Sequence, residues 1–186
     1  MAALAGHLIE LMPAGSAAAL HGRTKAHFSP NLNSSGAITL ITSTNQVLRT
    51  HVLGLYYFDA ESGRSVLIAP IQDSFGELLP PNQIVWRDAF QNIHADFRVT
   101  YTKSAIETDV ILLRQLPPPE DFGFPAATTR IEVFHEWLDA PSPERISRPL
   151  KQQTDPAIRQ QMAEPDLIDE TLTLGELWLP LGKAYA

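Results

Sequence analysis

The sequence predicts a mainly β protein, an antiparallel β-sandwich with proline-rich loops and one or two short helices. Three observations carry this prediction. Apolar residues recur with a period of two, most clearly in NIHADFRVTYTKSAIETDVILL at 92–113, and such alternation turns one face of a strand to a core and the other to water. Turn signals interrupt the alternating runs at short intervals. Fifteen prolines against ten glycines break the chain often, because proline fixes φ and has no N–H to donate.

At 186 residues the chain is one domain, or one domain with attachments, and is long enough to bury a sizeable core. Hydrophobic residues make up 44% and charged residues 19%, a globular composition that excludes global disorder. The net charge of −7 repels phosphate backbones, and no Lys/Arg stripe offsets it, so nucleic acid is not expected as a partner. The absence of cysteine excludes disulfides, thiolate metal sites and thiol catalysis. No run of about eighteen apolar residues is present, so no transmembrane helix is expected.

In chain order, residues 1–17 are expected as an N-terminal helix or extension. The Ala/Leu-rich start lacks a basic region ahead of its apolar stretch, and His7 and Glu10 interrupt it, so it reads as a short amphipathic helix over 4–11 rather than a signal peptide. Residues 18–140 are the sandwich. AALHGRTKAHFSP reads as one strand ended by Pro30, GAITLIT as the second, and VLRTHVLGLYYFD as a long strand with apolar residues on both faces, hence central. AESG closes a hairpin, with Asp59 starting the turn and Gly63 free to take a left-handed position. RSVLIAP returns and stops at Pro70. FGELLPPN reads as a loop, QIVWRD as a short strand, and 92–113 as a hairpin. The prolines of QLPPPEDFGFPAATT favour polyproline II, with one helical turn near Glu120–Phe122. TRIEVFHEWLD is a further strand. Residues 141–165 are expected as a proline-rich crossover with a short helix from Pro156, capped by Asp155. Residues 166–186 are expected as two strands around Gly175 that complete the sandwich.

If the 92–113 hairpin turns at Lys103–Ser104, Arg98 faces Asp109, Thr100 faces Glu107, Phe97 faces Val110 and Val99 faces Thr108. The plain reading is a cross-strand charge ladder on the wet face. The sharper one is a metal site from His94 and Asp96 with Asp109, since residues two apart on a strand point the same way. It needs three converging ligands, and Arg98 in the same row repels a cation. His51, alone in its strand, reads as a structural histidine. His135 and Glu136 point to opposite faces of their strand. Glu132 and Glu136 share a face but stand too far apart for a retaining glycosidase pair. Trp86, Trp137, Tyr56, Tyr57 and Phe58 offer either core or a sugar-stacking platform. Trp86, Trp137, His94 and Asp96 are therefore the candidate ligand-binding residues. No catalytic set and no cofactor motif is expected: the phosphate-loop, nucleophile-elbow and zinc-protease signatures are missing. Asn33-Ser34-Ser35 matches a glycosylation sequon by pattern alone.

The phrases LRTHVLGLYYFDAESGRSVLIA, GELLPPNQIVWRDAF, ADFRVTYTKSAIETDVIL, TTRIEVFHEWLDAPSPE and DETLTLGELWLPLGKAYA resemble a region of large bacterial proteins found in Verrucomicrobia and related groups, some of them associated with Rhs-type (YD) repeats. The resemblance implies a β-rich, non-repetitive segment of a secreted or surface protein, with an extracellular or cell-surface location and no known activity. Together with the patterns above it leads to a non-enzymatic structural or interaction module, partnered by neighbouring domains of a larger polypeptide or by another protein. The alternative is a carbohydrate-binding or carbohydrate-processing sandwich, with a glycan as partner.

Overall fold

The structure is a computed structural model and describes residues 8–162, 165–180 and 182, with the backbone alone at Leu167. It is mainly β, 54% strand against 6% helix, as the period of two requires. The chain divides into two compact units, Met1–Asp139 and Ala140–Ala186.

Among its described residues the first unit holds eleven strands: β1 (Glu10–Leu11), β2 (Ala17–Ala19), β3 (Lys25–Phe28), β4 (Ile38–Ile41), β5 (Val47–Asp59), β6 (Arg64–Pro70), β7 (Gly76–Leu79), β8 (Gln83–Trp86), β9 (Ala95–Tyr101), β10 (Ile106–Leu112) and β11 (Thr129–Asp139). One antiparallel sheet runs β1-β2-β3-β4-β5-β11, with β6 also on β5. The second runs β10-β9-β8-β7. β5 organises the first sheet because it is long enough for three partners. β11 takes one edge, from Arg49 to Asp59, and the other edge is shared by β4 at Val47–Thr50 and β6 at Gly54–Asp59.

The handover from β4 to β6 falls at Gly54. The register shifts toward β6 between Leu55 and Tyr56 and toward β11 between Phe134 and His135. Gly54 has φ +156°, and a Cβ there would stand 2.5 Å from the Ala69 carbonyl oxygen. Only glycine lets the two backbones approach this closely. Gly54→Ala is therefore expected to cost about 1–3 kcal/mol, read as a lower denaturation midpoint with unchanged slope.

The two sheets face each other across one core. Val52, Leu55 and Ala69 of the first sheet and Ile84, Trp86, Phe97, Val99 and Tyr101 of the second are all buried and belong to a single cluster. Phe28 and Trp86 pack ring to ring at 6.4 Å across the sandwich. The Tyr101 hydroxyl donates to the Thr24 carbonyl and the Trp86 indole N–H to the Pro30 carbonyl, so the large side chains also tie the sheets together through their polar tips. The β5–β6 turn closes as its sequence requires: Gly63 N–H donates to the Asp59 carbonyl at 2.8 Å with φ +69°.

Among its described residues the second unit forms a three-stranded antiparallel sheet, β12 (Glu144–Gln152), β13 (Asp166–Leu174) and β14 (Leu177–Pro180), in that order. Its helix α1 (Pro156–Arg159) is capped by Asp155, whose carboxylate accepts from the Ala157 and Ile158 N–H groups. Arg159 chelates Asp166 with two nitrogens.

Several expectations need correction. The described end of the expected N-terminal helix, Glu10–Leu11, is a strand paired with Ala17–Ala18, and Ile9 lies in the core; residues 4–7 fall outside the described residues. The first strand is two strands, because the polar, glycine-containing HGRT stretch turns the chain between β2 and β3. Gly76–Leu79 is a strand against β8 rather than a loop. The crossover contains β12, hidden in the sequence by its prolines. Pro149 sits where the β12–β13 register shifts, so its missing N–H interrupts the ladder at a point already irregular. β13 and β14 pair with β12 in one antiparallel sheet. No helix among the described residues is long and apolar enough to cross a membrane.

Candidate functional site

The β9–β10 hairpin adopts the expected register: Arg98 opposite Asp109, Thr100 opposite Glu107, Phe97 opposite Val110 and Val99 opposite Thr108. The inward row of Ala95, Phe97, Val99 and Tyr101 is buried. The outward row is polar, and its members bond to one another. Arg98 donates from Nε and Nη2 to Asp109 Oδ2 at 3.1 and 2.9 Å. Gln83 on β8 donates to the Thr100 hydroxyl at 3.0 Å.

Asp96 is the exception on this face, a carboxylate only 2% exposed. It accepts from Arg87 Nη1 at 2.8 Å and from the Asp88 backbone N–H at 3.0 Å. Arg87 also reaches Glu77 at 3.5 Å. Asp88 has φ +43°, so the carboxylate holds the chain in the left-handed region as it leaves β8. His94 is exposed and places Nδ1 3.1 Å from Asp88 Oδ1. The residues read as a possible metal site are thus spread over three local pairs: Asp96 with Arg87, His94 with Asp88, Asp109 with Arg98. Among the described residues no three His, Cys, Asp or Glu side chains are grouped to hold a metal ion.

The part of this arrangement that sequence reasoning missed is Arg87. It lies one residue past β8, and Trp86 opposes Phe97, so extending that register by one brings Arg87 to Asp96. The eight-residue connection between the strands hides the pairing from the sequence. Asp96→Ala is expected to cost about 1.5–3 kcal/mol, the worth of hydrogen bonds to a charged group. Thermal denaturation and faster amide exchange confined to residues 87–96 would report it.

The two tryptophans part company. Trp86 is fully buried and meets Phe28 and Phe97, so it is core and not a surface platform. Trp137 is 38% exposed and stacks on His135 at 6.0 Å between ring centres. Tyr57 is buried, its hydroxyl donating to the Pro117 carbonyl at 2.5 Å. Tyr56 stacks on Phe134 at 3.8 Å. The five aromatics named from the sequence therefore do not share a surface.

Two histidines flank the bulge of the β5–β11 ribbon. His135 pairs with Val52, which is buried; Glu136 pairs with His51 on the opposite face of the ribbon. His135 packs against Phe97 of the opposite sheet at 6.3 Å and places Nδ1 3.3 Å from the Thr50 hydroxyl. Burial lowers its imidazole to about 4, with His51 adding in the same direction. His51 has Nδ1 3.9 Å from Glu136 Oε2 and a buried Nε2 with no hydrogen-bond partner.

Two further carboxylates fasten loops. Asp59 accepts from the Ser62 hydroxyl and N–H, from the Glu61 N–H, and from the Thr128 hydroxyl at 2.5 Å. The Ser62 bond, then the Thr128 bond, hold its carboxyl at about 2, below the usual range. Asp73 accepts from the side-chain amides of Asn31 at 2.9 Å and Asn33 at 3.0 Å, and these bonds lower its carboxyl in the same way. The Asn33 amide of the sequon pattern is thus engaged in joining two loops. Comparison with models of known families, with characterised proteins and with solved structures finds no match to the chain.

Proposed function

We propose that this chain is a non-catalytic structural and interaction module of a bacterial secreted or surface protein, partnered by neighbouring domains of a larger polypeptide or by another protein. The observation that supports this reading best is how the polar side chains of the first unit are spent. Asp96, Asp109, Asp59 and Asp73 each bind a neighbour that positions backbone or an adjacent strand, where a catalytic site needs such groups converging on one point open to a substrate.

An available strand edge also supports it. Among the described residues, β11 pairs with β5 along one edge only. Its other edge offers the ladder groups of an eleven-residue strand, to which a β-rich neighbour can add a strand. The secreted or surface location rests on the resemblance of the long phrases around β5, β9–β10 and β11.

A panel of ester and glycoside substrates tests the non-catalytic half. The expected result is no turnover by the wild-type chain. Turnover that disappears in a folded Asp96→Asn or His94→Ala variant would overturn it.

A further inference from the structure

Most hydrogen-bonding side chains of the first unit's candidate sites have a partner. One end of the second sheet differs. Glu144, Thr173 and Trp178 are aligned across β12, β13 and β14 as direct strand partners, so their side chains share one face. At this end Pro141, Ser142, Glu144, Thr173 and Gly175 line a depression of about 380 Å³, within the range of about 300–1,000 Å³ usual for small-molecule sites. Among the described residues, the side chains of Ser142 and Glu144 carry no hydrogen bond or ion pair. The Thr173 hydroxyl has only a long bond of 3.4 Å to the Glu144 carbonyl.

Trp178, the strand partner of Thr173 on this face of the sheet, is 66% exposed. Arg148 follows Glu144 and Ile146 on the same face and carries its guanidinium 5.9 Å from the indole ring centre. The cation sits over the ring, and Trp178 still keeps most of its surface in water. A large flat apolar surface in water next to free hydroxyl and carboxylate groups is complementary to one kind of molecule: a ring with an apolar C–H face and a rim of hydroxyls.

We propose that this end of the second sheet binds a neutral glycan, with one pyranose face stacked on Trp178 and ring hydroxyls held by Glu144 and Ser142. The chemistry of the surroundings selects this class. A purely apolar partner would bury Glu144 and Ser142 without replacing their water. A nucleotide or an acidic sugar would bring its charge against the Glu144 carboxylate in a chain of net charge −7, and the Arg148 guanidinium at the ring stands opposite Asp169 on the same side of the sheet. The site lies wholly within the second unit and does not depend on the role proposed for the first.

The test is affinity electrophoresis of the full chain in native gels containing hydroxyethylcellulose, xylan, glucomannan or dextran, with a single-stranded DNA gel alongside. At least one polysaccharide is expected to retard the wild-type chain. Apparent affinity should fall about tenfold or more in Trp178→Ala, fall in Glu144→Gln, and stay unchanged in Trp137→Ala. Trp178 is exposed and Glu144 has no side-chain partner, so both variants are expected to keep the wild-type circular dichroism spectrum. The proposal is overturned if no polysaccharide retards the chain, if only DNA does, or if Trp178→Ala binds as tightly as wild type. Turnover in the substrate panel would defeat the non-catalytic reading and leave this binding result standing.

Discussion

Trp86→Ala is expected to destabilise the first unit by about 3–5 kcal/mol. The indole is fully buried where the two sheets meet, packed on Phe28 from the first sheet and Phe97 from its own. Removing it leaves a cavity that strands on both sides must partly fill, and packed interiors relax only in part. It also frees the Pro30 carbonyl, which accepts the indole N–H at 3.1 Å. Urea denaturation followed by far-UV circular dichroism measures the loss. Trp86→Phe should recover most of the packing and lack only the hydrogen bond, a difference of about 1 kcal/mol. A loss under 1 kcal/mol in Trp86→Ala would mean that the sheets do not share this core.

His135 should make the first unit sensitive to mild acid. Its imidazole lies between Phe97 and Trp137, and burial, helped by the neighbouring His51, lowers it to about 4 from an ordinary 6.5. The unfolded chain therefore takes up this proton at a higher pH than the folded one. The neutral ring's contribution is complete above about pH 6.5 and is lost as pH falls toward 4. At about 1.4 kcal/mol per pH unit the loss reaches about 3 kcal/mol. In His135→Leu that slope between pH 6.5 and 4 should vanish. Equal slopes in the two proteins would show that the imidazole is not excluded from water.

Asp59 acts in a separate window. Its folded carboxyl lies near 2 against an ordinary 3.8, so the stability it adds is present above about pH 3.8 and is lost below that as pH falls through 2. Denaturation at pH 7, 5 and 4 therefore reads His135 with little contribution from Asp59.

What the sequence determined by itself was the local order of the chain. Periodicity of two marked most of the long strands, and in the β9–β10 hairpin the short turn also set the register. The β9–β10 hairpin and the turn at Asp59–Gly63 are legible because two or three residues fix which side chains oppose, and a slip by one would turn the apolar row to water. The Asp155 cap and the Gly175 turn are local for the same reason.

Tertiary structure alone decided the pairings that cross long stretches of chain. No pattern in Val47–Asp59 says that β4 and β6 share one of its edges, and none in Arg87 says that it will meet Asp96 across the 87–94 connection. The burial of Trp86 and the exposure of Trp178 were equally illegible, because an indole on a strand suits either face of a sheet. The proline-rich composition misled at β12, where an edge strand and a register shift accommodate Pro149. The physical reason is the same each time. Local patterns are set by backbone geometry within a few residues. Which face is covered, and which polar group finds a partner, depends on contacts whose loop-closure cost is repaid only when the whole core assembles.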